Sequence, residues 1–415
     1  MDVLFVNIGK LVQVENEPKK WVAGGDMAKL PCLENAYLLV VDGLIKDFGP
    51  MSQLPDFSQK DSLVEVDVEG RLILPSFCDS HTHLVYAGSR EMEYVDKIKG
   101  LSYEEIAKRG GGILNSAKRL HLATEEELYQ SALNRIHEIA GFGTGAVEIK
   151  SGYGLTTANE IKMLRVIKQL KETTPLEIKA TFLGAHAVPL EFKGRQSEYV
   201  NLIVNEMIPQ VATEKLADYV DVFCDKGFFT VPETEKILAA AAKYDIRGKI
   251  HANELAFSGG IQVGVAHGAL SVDHLEFVGD EEIKCLLGSE TMPTILPGAA
   301  FFLNMPYSPA RKMMQAGLPV ALASDFNPGS SPSGNMKFIM SLGCINYRMT
   351  PEEVINAATI NSAYAMGIQK THGSICRGKV ANLYITTRIP GYEFLPYAYT
   401  SNLIERVMLN GEFVS

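Results

Sequence analysis

Two histidines, His81 and His83, stand two residues apart at the end of the run Ile73-Leu74-Pro75-Ser76-Phe77-Cys78-Asp79-Ser80. Alternate residues of a strand point to the same face, so both imidazoles project into whatever this strand faces. A short apolar run that ends in His-x-His reads as a buried strand delivering two nitrogen ligands to one metal ion. Further along, His251, His274 and Asp325 each follow or end another apolar run, and Glu254 stands three residues after His251. Three imidazoles and one carboxylate make a nitrogen-rich set that suits Zn or Fe and not Mg or Ca. We assign His81, His83, His251 and Asp325 as ligands of one divalent or trivalent metal ion. Such an ion lowers the pKa of a water towards about 7 and makes it a nucleophile. Glu254 is then close enough to shuttle the proton, and His274 to hold the water or a developing oxyanion.

These residues need a scaffold that gathers strand ends. Apolar runs at Leu72–Cys78, Ala146–Ile149, Ile178–Leu183, Tyr219–Phe223, Lys249–His251, Ser271–Phe277, Thr291–Leu296 and Val320–Ala323 alternate with helical patterns. Capping-box spacing starts several helices, at Thr124 with Glu127, Thr157 with Glu160, and Thr350-Pro351 with Glu353. Gly141 suits a helix stop. Eight strands alternating with helices over about 300 residues predict a TIM-like (β/α)8 barrel of α/β class, whose chemistry collects where strands give way to loops. More than half of the nine histidines fall at such ends. A doubly wound sheet is the alternative, but no Gly-x-Gly-x-x-Gly follows an early strand. Both termini read differently. Val3–Ile8, Leu11–Val14, Ala36–Val41, Leu44–Phe48 and Leu63–Val68, then Val380–Thr386 and Leu403–Leu409 with its Asn410-Gly411 turn, predict short strands. We expect residues 1–70 plus 374–415 to form a small β-sandwich domain and residues 71–373 to form the barrel.

The 415 residues are 46% hydrophobic and 21% charged, the balance of a globular enzyme. The formal charge of −10 and the lack of a basic block argue against nucleic acid or an anionic membrane as the main partner. Six cysteines lie far apart with no Cys-x-x-Cys, and the N-terminus has no signal-peptide pattern. No apolar run is long enough to span a bilayer, so a cytoplasmic protein is expected. Lys150 and Lys226 also stand at strand ends, where a carboxylated lysine could bridge two metals. His-x-x-Glu favours one metal, and Lys226 reads as solvated.

With these residues in place the chain resembles the amidohydrolase superfamily over nearly its whole length. The motifs that carry the resemblance are His81-Thr82-His83-Leu84-Val85-Tyr86-Ala87-Gly88-Ser89-Arg90, Gly110-Gly111-Gly112-Ile113, Glu148-Ile149-Lys150-Ser151-Gly152-Tyr153-Gly154, Leu183-Gly184-Ala185-His186, His251-Ala252-Asn253-Glu254 and Ser324-Asp325-Phe326-Asn327-Pro328-Gly329-Ser330. The resemblance is to those members that open 4-imidazolone-5-propanoate to N-formimino-L-glutamate in histidine degradation. It implies a small-molecule substrate with a carboxylate tail, a zinc or iron ion, and a homodimer. Arg90 would then clamp the carboxylate with paired hydrogen bonds. Tyr153 and His186, with Tyr103 as a weaker candidate, would complete that end, and Asn327, Gly329 and Ser330 would orient the ring. Glu254, His274 and Asp325 would be the catalytic groups. A deaminase of the same superfamily is the rival reading. Arg90 separates the two, since a neutral base needs no carboxylate clamp.

Overall fold

The computed structural model describes residues 2–56, 63–101, 105 and 111–414. Tyr103 and Gly110 lie outside the described residues. The middle of the chain forms an eight-stranded parallel sheet. Its strands are β1 (Phe77–Thr82), β2 (Thr144–Lys150), β3 (Glu177–Ala185), β4 (Tyr219–Cys224), β5 (Arg247–Ala252), β6 (Ser271–His274), β7 (Met292–Ile295) and β8 (Ala321–Leu322). They pair in chain order. Just beyond the two-residue β8 the ring closes: Asp325 N donates to His81 O at 3.0 Å and His83 N to Phe326 O at 2.9 Å. The barrel read from the alternating runs is therefore the observed fold.

The outer faces of the strands are apolar and pack under the surrounding helices, so Val147, Ile149, Val222, Ile250 and Val272 are buried to 0% exposure. The helices begin where the side chains dictate. Thr124 with Glu127 and Thr350 with Glu353 form the expected capping boxes, and Thr230 with Glu233 forms another. Thr157 with Glu160 does not. Thr156 caps that helix (Thr157–Thr173) by accepting from Asn159 N. Glu160 is fully buried and instead accepts from the backbone N–H of Gly152, Gly154 and Leu155, at 2.7–3.1 Å. Three amide donors outbid a helix end, because a buried carboxylate must be saturated with hydrogen bonds. The bend that carries Tyr153 is thereby pinned.

The termini build a separate eight-stranded sheet. The expected strands Val3–Ile8 and Leu11–Val14 are largely one strand, Asp2–Val12, which bends where Asn7 takes φ 53° and the register shifts. Side chains from Asp2–Val12, Cys32–Val41, Leu44–Pro50, Leu383–Thr386 and Ile404–Leu409 share one core. These strands belong to one hydrogen-bonded sheet. Leu72–Cys78 is not one strand: Leu72–Pro75 pairs with Asp2–Val12 and Leu383–Thr386, and only from Phe77 does the chain enter the barrel. Pro75-Ser76 divides the apolar run Leu72–Cys78 between two sheets, which periodicity alone does not separate. Asn410 and Gly411, at φ 52° and 77°, make the expected tight turn.

Candidate metal centre and active site

Period-two alternation turns Asp79, His81 and His83 of the first barrel segment inward. Glu148 and Lys150 of β2, Asp221 of β4, Lys249 and His251 of β5, and Asp273 of β6 turn inward likewise and meet across the axis. Ligand-capable atoms of His81, His83 and Asp325 lie within 4.8 Å of one another, and so do those of His81, His251 and His274. Asp325 Oδ1 is 3.6 Å from His81 Nε2 and 3.5 Å from His83 Nε2. The two trios share His81: His83 and Asp325 stand with it in one, and His251 stands with it in the other beside His274, which was read as a catalytic group. All are buried.

The far side of two of these rings is held by carboxylates that sequence reasoning missed. His81 Nδ1 meets Asp273 Oδ2 at 2.7 Å, and His251 Nδ1 meets Asp221 Oδ2 at 3.0 Å. At His81 this hydrogen bond keeps the proton on Nδ1 and turns the Nε2 lone pair towards the centre, while Asp221 stands beside His251 Nδ1 as a neighbouring charge. The Nε2 atoms of His81 and His251 are buried and have no hydrogen-bond partner. Burial, followed by neighbouring cationic and imidazole groups, lowers the pKa of His81, His83 and His274 well below the usual histidine value. Neutral, buried, unpartnered imidazole nitrogens beside a carboxylate are the donor set a transition-metal ion requires. The residues fit the group that the sequence implies.

Beneath the imidazoles lies an ion cluster with no exposure at all. Lys150 Nζ reaches Glu148 Oε1 at 2.5 Å, Asp221 Oδ2 at 2.8 Å and Asp273 Oδ2 at 3.7 Å. Lys249 Nζ pairs with Glu148 Oε2 and donates to Ser80 O at 2.9 Å. Burial alone would discharge Lys150, but Asp221, Glu148 and Asp273 outweigh it and raise its pKa. A lysine so enclosed by carboxylates is not available for carboxylation, and Lys226 is exposed. The signal was present in the sequence, as single charges at inward positions of otherwise apolar strands.

A cleft of about 340 Å³ opens above the cluster, lined in part by Arg90, Tyr153, His186, Glu254, His274 and Asn327. Glu254 Oε2 is 3.7 Å from His274 Nε2. Burial, then Asp325 and Asp225, push the Glu254 carboxyl up to about 8. Asp225, the other acid at the end of β4, turns away from the cleft and accepts from the backbone N–H of Glu254 and Leu255 at 2.7 and 2.9 Å. His186 stacks on His83 with ring centroids 5.3 Å apart, and its Nδ1 meets Gly152 O at 2.9 Å. The Tyr153 ring lies 5.5 Å from His186. Arg90 gives Nε and Nη2 to Glu93 Oε2 at 2.8 and 2.6 Å. A Cβ placed on Gly329 would stand 2.1 Å from Arg90 Nη1, so a side chain there would push the guanidinium from its present position. Asn327 acts inside its own loop. Its Oδ1 accepts from Gly329 N and Ser330 N at 2.7 and 2.8 Å, and Ser330 Oγ donates to Asp325 Oδ2 at 3.2 Å.

Residues 72–414 match the amidohydrolase family, the class that this barrel and its histidine–aspartate cluster define. Imidazolonepropionases from Flavobacterium johnsoniae and Flavobacterium psychrophilum are 55% and 56% identical over 414 residues, covering the whole of each chain. The imidazolonepropionase of Parabacteroides distasonis is 39% identical, covering 99% of this chain and 98% of its own. The chain belongs to the amidohydrolase family and, within it, to the imidazolonepropionases. In fold it is similar to a triazine hydrolase from Arthobacter aurescens (TM-score 0.76, 16% identity, covering 100% of this chain and 94% of that one). It is also similar in fold to a guanine deaminase from C. acetobutylicum (TM-score 0.74, 14% identity, covering 100% of both).

Replacing Asp273 by Asn removes the charge that orients His81. Metal affinity, measured by chelator competition, is expected to fall about 10–100-fold, and unchanged affinity would separate this carboxylate from the centre.

Proposed function

We propose that this protein catalyses the hydrolytic ring opening of 4-imidazolone-5-propanoate to N-formimino-L-glutamate. The observation that carries the reading is one cleft that joins buried, neutral imidazoles and Asp325 to an arginine beside Gly329, within a chain 55% identical to a named imidazolonepropionase over its full length. The reaction consumes one water. Its oxygen bonds to the ring carbonyl carbon, the amide C–N bond breaks, and the released nitrogen takes a proton.

His81, His83, His251 and Asp325 would hold a zinc or iron ion, and the nitrogen-rich donor set supports that choice. A bound ion would supply Lewis acidity, polarising the ring carbonyl and making water nucleophilic near neutral pH. Glu254 takes the proton of the attacking water and returns it to the leaving nitrogen. Its place in the cleft, 3.7 Å from His274, suits that exchange. His274 faces Glu254 and orients the water, and the Asp325 carboxylate can accept a hydrogen bond from that water and so steer it. Arg90 receives the propionate with the guanidinium edge that Glu93 leaves open, while Tyr153 and His186 wall the same end. Asn327 fixes the Gly329–Ser330 turn against which the ring rests. Tyr103 remains a proposed tail contact from the sequence.

The enzyme is further proposed to be cytoplasmic, which suits six unpaired cysteines, and homodimeric. Exposed Phe301, Ile345 and Tyr397, on helices packed against one another, support a pairing face. Molecular mass in solution tests it, and a monomer at micromolar concentration rejects it.

Replacing Glu254 by Gln should keep metal content and lower kcat by roughly a hundredfold or more, read as loss of imidazolone absorbance. Full turnover in that variant removes Glu254 from proton transfer, and ammonia release by the wild type points to deamination instead. Replacing Arg90 by Ala should raise KM at least tenfold, and an unchanged KM would sink the carboxylate clamp.

A further inference from the structure

Arg90 is not the source of net positive charge in the cleft. Its guanidinium is matched by Glu93, whose carboxylate also accepts from Gly112 N at 3.0 Å and Asn115 Nδ2 at 3.1 Å. Burial would raise the Glu93 pKa, but Arg90 and the other donors outweigh it and hold it below the usual value, so the carboxylate stays charged. The pair Arg90–Glu93 contributes direction and shape, with little uncompensated charge for an anion to answer.

Lys97 stands one turn further along the same helix (Glu91–Ile98) and lines the same cleft. Residues four apart share a helix face, which puts its ammonium on the side of Glu93 and Arg90. Among the described residues no carboxylate lies within 4.0 Å of Lys97 Nζ. The hydrogen bond recorded for it runs to Phe302 O at a long 3.3 Å, and the ammonium sits 5.5 Å from the Phe302 ring centre. An ammonium has three donors. One weak bond and an aromatic face leave it able to accept an anion. Partial burial and the Arg90 charge lower its pKa, which marks a site where a negative ligand relieves both penalties.

We propose that Lys97 is the second cation of the substrate-tail subsite: Arg90 fixes the carboxylate's direction, and Lys97 supplies the uncompensated charge that draws and retains it. The inference rests on the ring-opening reading above, because that substrate carries one carboxylate and the subsite then carries one net positive charge to match it. Lys97 is thereby a specificity-determining residue, selecting rings with an anionic tail over neutral rings of the same shape.

The test compares wild type, Lys97→Met and Lys97→Arg. Imidazole-4-propanoate serves as an unreactive tailed ligand and 4-methylimidazole as its tailless counterpart. In Lys97→Met the dissociation constant for the tailed ligand and the KM for 4-imidazolone-5-propanoate should rise about tenfold. The change in kcat should be smaller, and affinity for 4-methylimidazole should stay within twofold. Lys97→Arg should recover most of the loss. Equal tailed-ligand affinity in Lys97→Met and wild type overturns the proposal, as does an equal loss for both ligands, which would mark a structural role. The wild type keeps the two claims apart. If it binds the tailed ligand through Lys97 yet leaves 4-imidazolone-5-propanoate intact, the reaction is wrong and the subsite stands.

Discussion

The barrel interior depends on the neutralisation of charge that water cannot reach. Lys150 and Lys249 face Glu148, Asp221 and Asp273 at the axis, all with no exposure. An isolated buried ion would cost many kcal/mol, and removing one member of such a set leaves its partners uncompensated. The cluster is therefore obligatory as a whole. Its upper edge is where the two aspartates reach the imidazoles of His81 and His251. The same atom, Asp273 Oδ2, serves His81 at 2.7 Å and lies 3.7 Å from Lys150. Ring orientation at the centre is thus set from below, by strand residues with no freedom to move, and not by the loops that form the cleft. Catalytic geometry requires that kind of support.

Much of this was legible in the chain. Strand periodicity and the placement of histidines at strand ends identified the barrel, and the residues picked out at those ends fall in two trios of possible ligands that share His81. What escaped has physical reasons. Glu160 has the right spacing for a helix cap, yet three amides of the Tyr153 bend compete for it and win. The run Leu72–Cys78 has one hydrophobic character but serves two sheets, a division that depends on which partner strands arrive on either side. The Arg90–Glu93 pair, by contrast, is an i,i+3 spacing that the sequence offered and the reading of Arg90 as a free clamp passed over. Tertiary competition for a donor or acceptor leaves no mark on periodicity.

Some of the left-handed backbone positions stand beside the metal centre. His274 and Leu275 take φ 84° and 68°, Asn253 takes 56° and Asp325 takes 53°. Non-glycine residues adopt these values at some energetic cost. Each stands at the end of a barrel strand and turns the chain out of the sheet, so that a side chain which would otherwise follow the pleat points across the opening. Hydrogen bonds fix these turns: Asn253 Nδ2 donates to Phe277 O at 2.8 Å, and Asn327 Nδ2 to Asp325 O at 2.7 Å.

The seam of the barrel has a consequence for the whole molecule. β1 and β8 are the first and last strands of the ring, and they meet through a few backbone bonds around His81, Thr82 and Asp325. β8 itself is only two residues long. His81 and His83 sit on one lip of this seam and Asp325 on the other. A cation gripped by both lips would act as a clasp on a long closed loop, doing for the barrel what a cross-link does for a chain by shrinking the freedom of the opened state. Loading the enzyme and locking its architecture would then be one event, and an emptied centre would loosen first along this line.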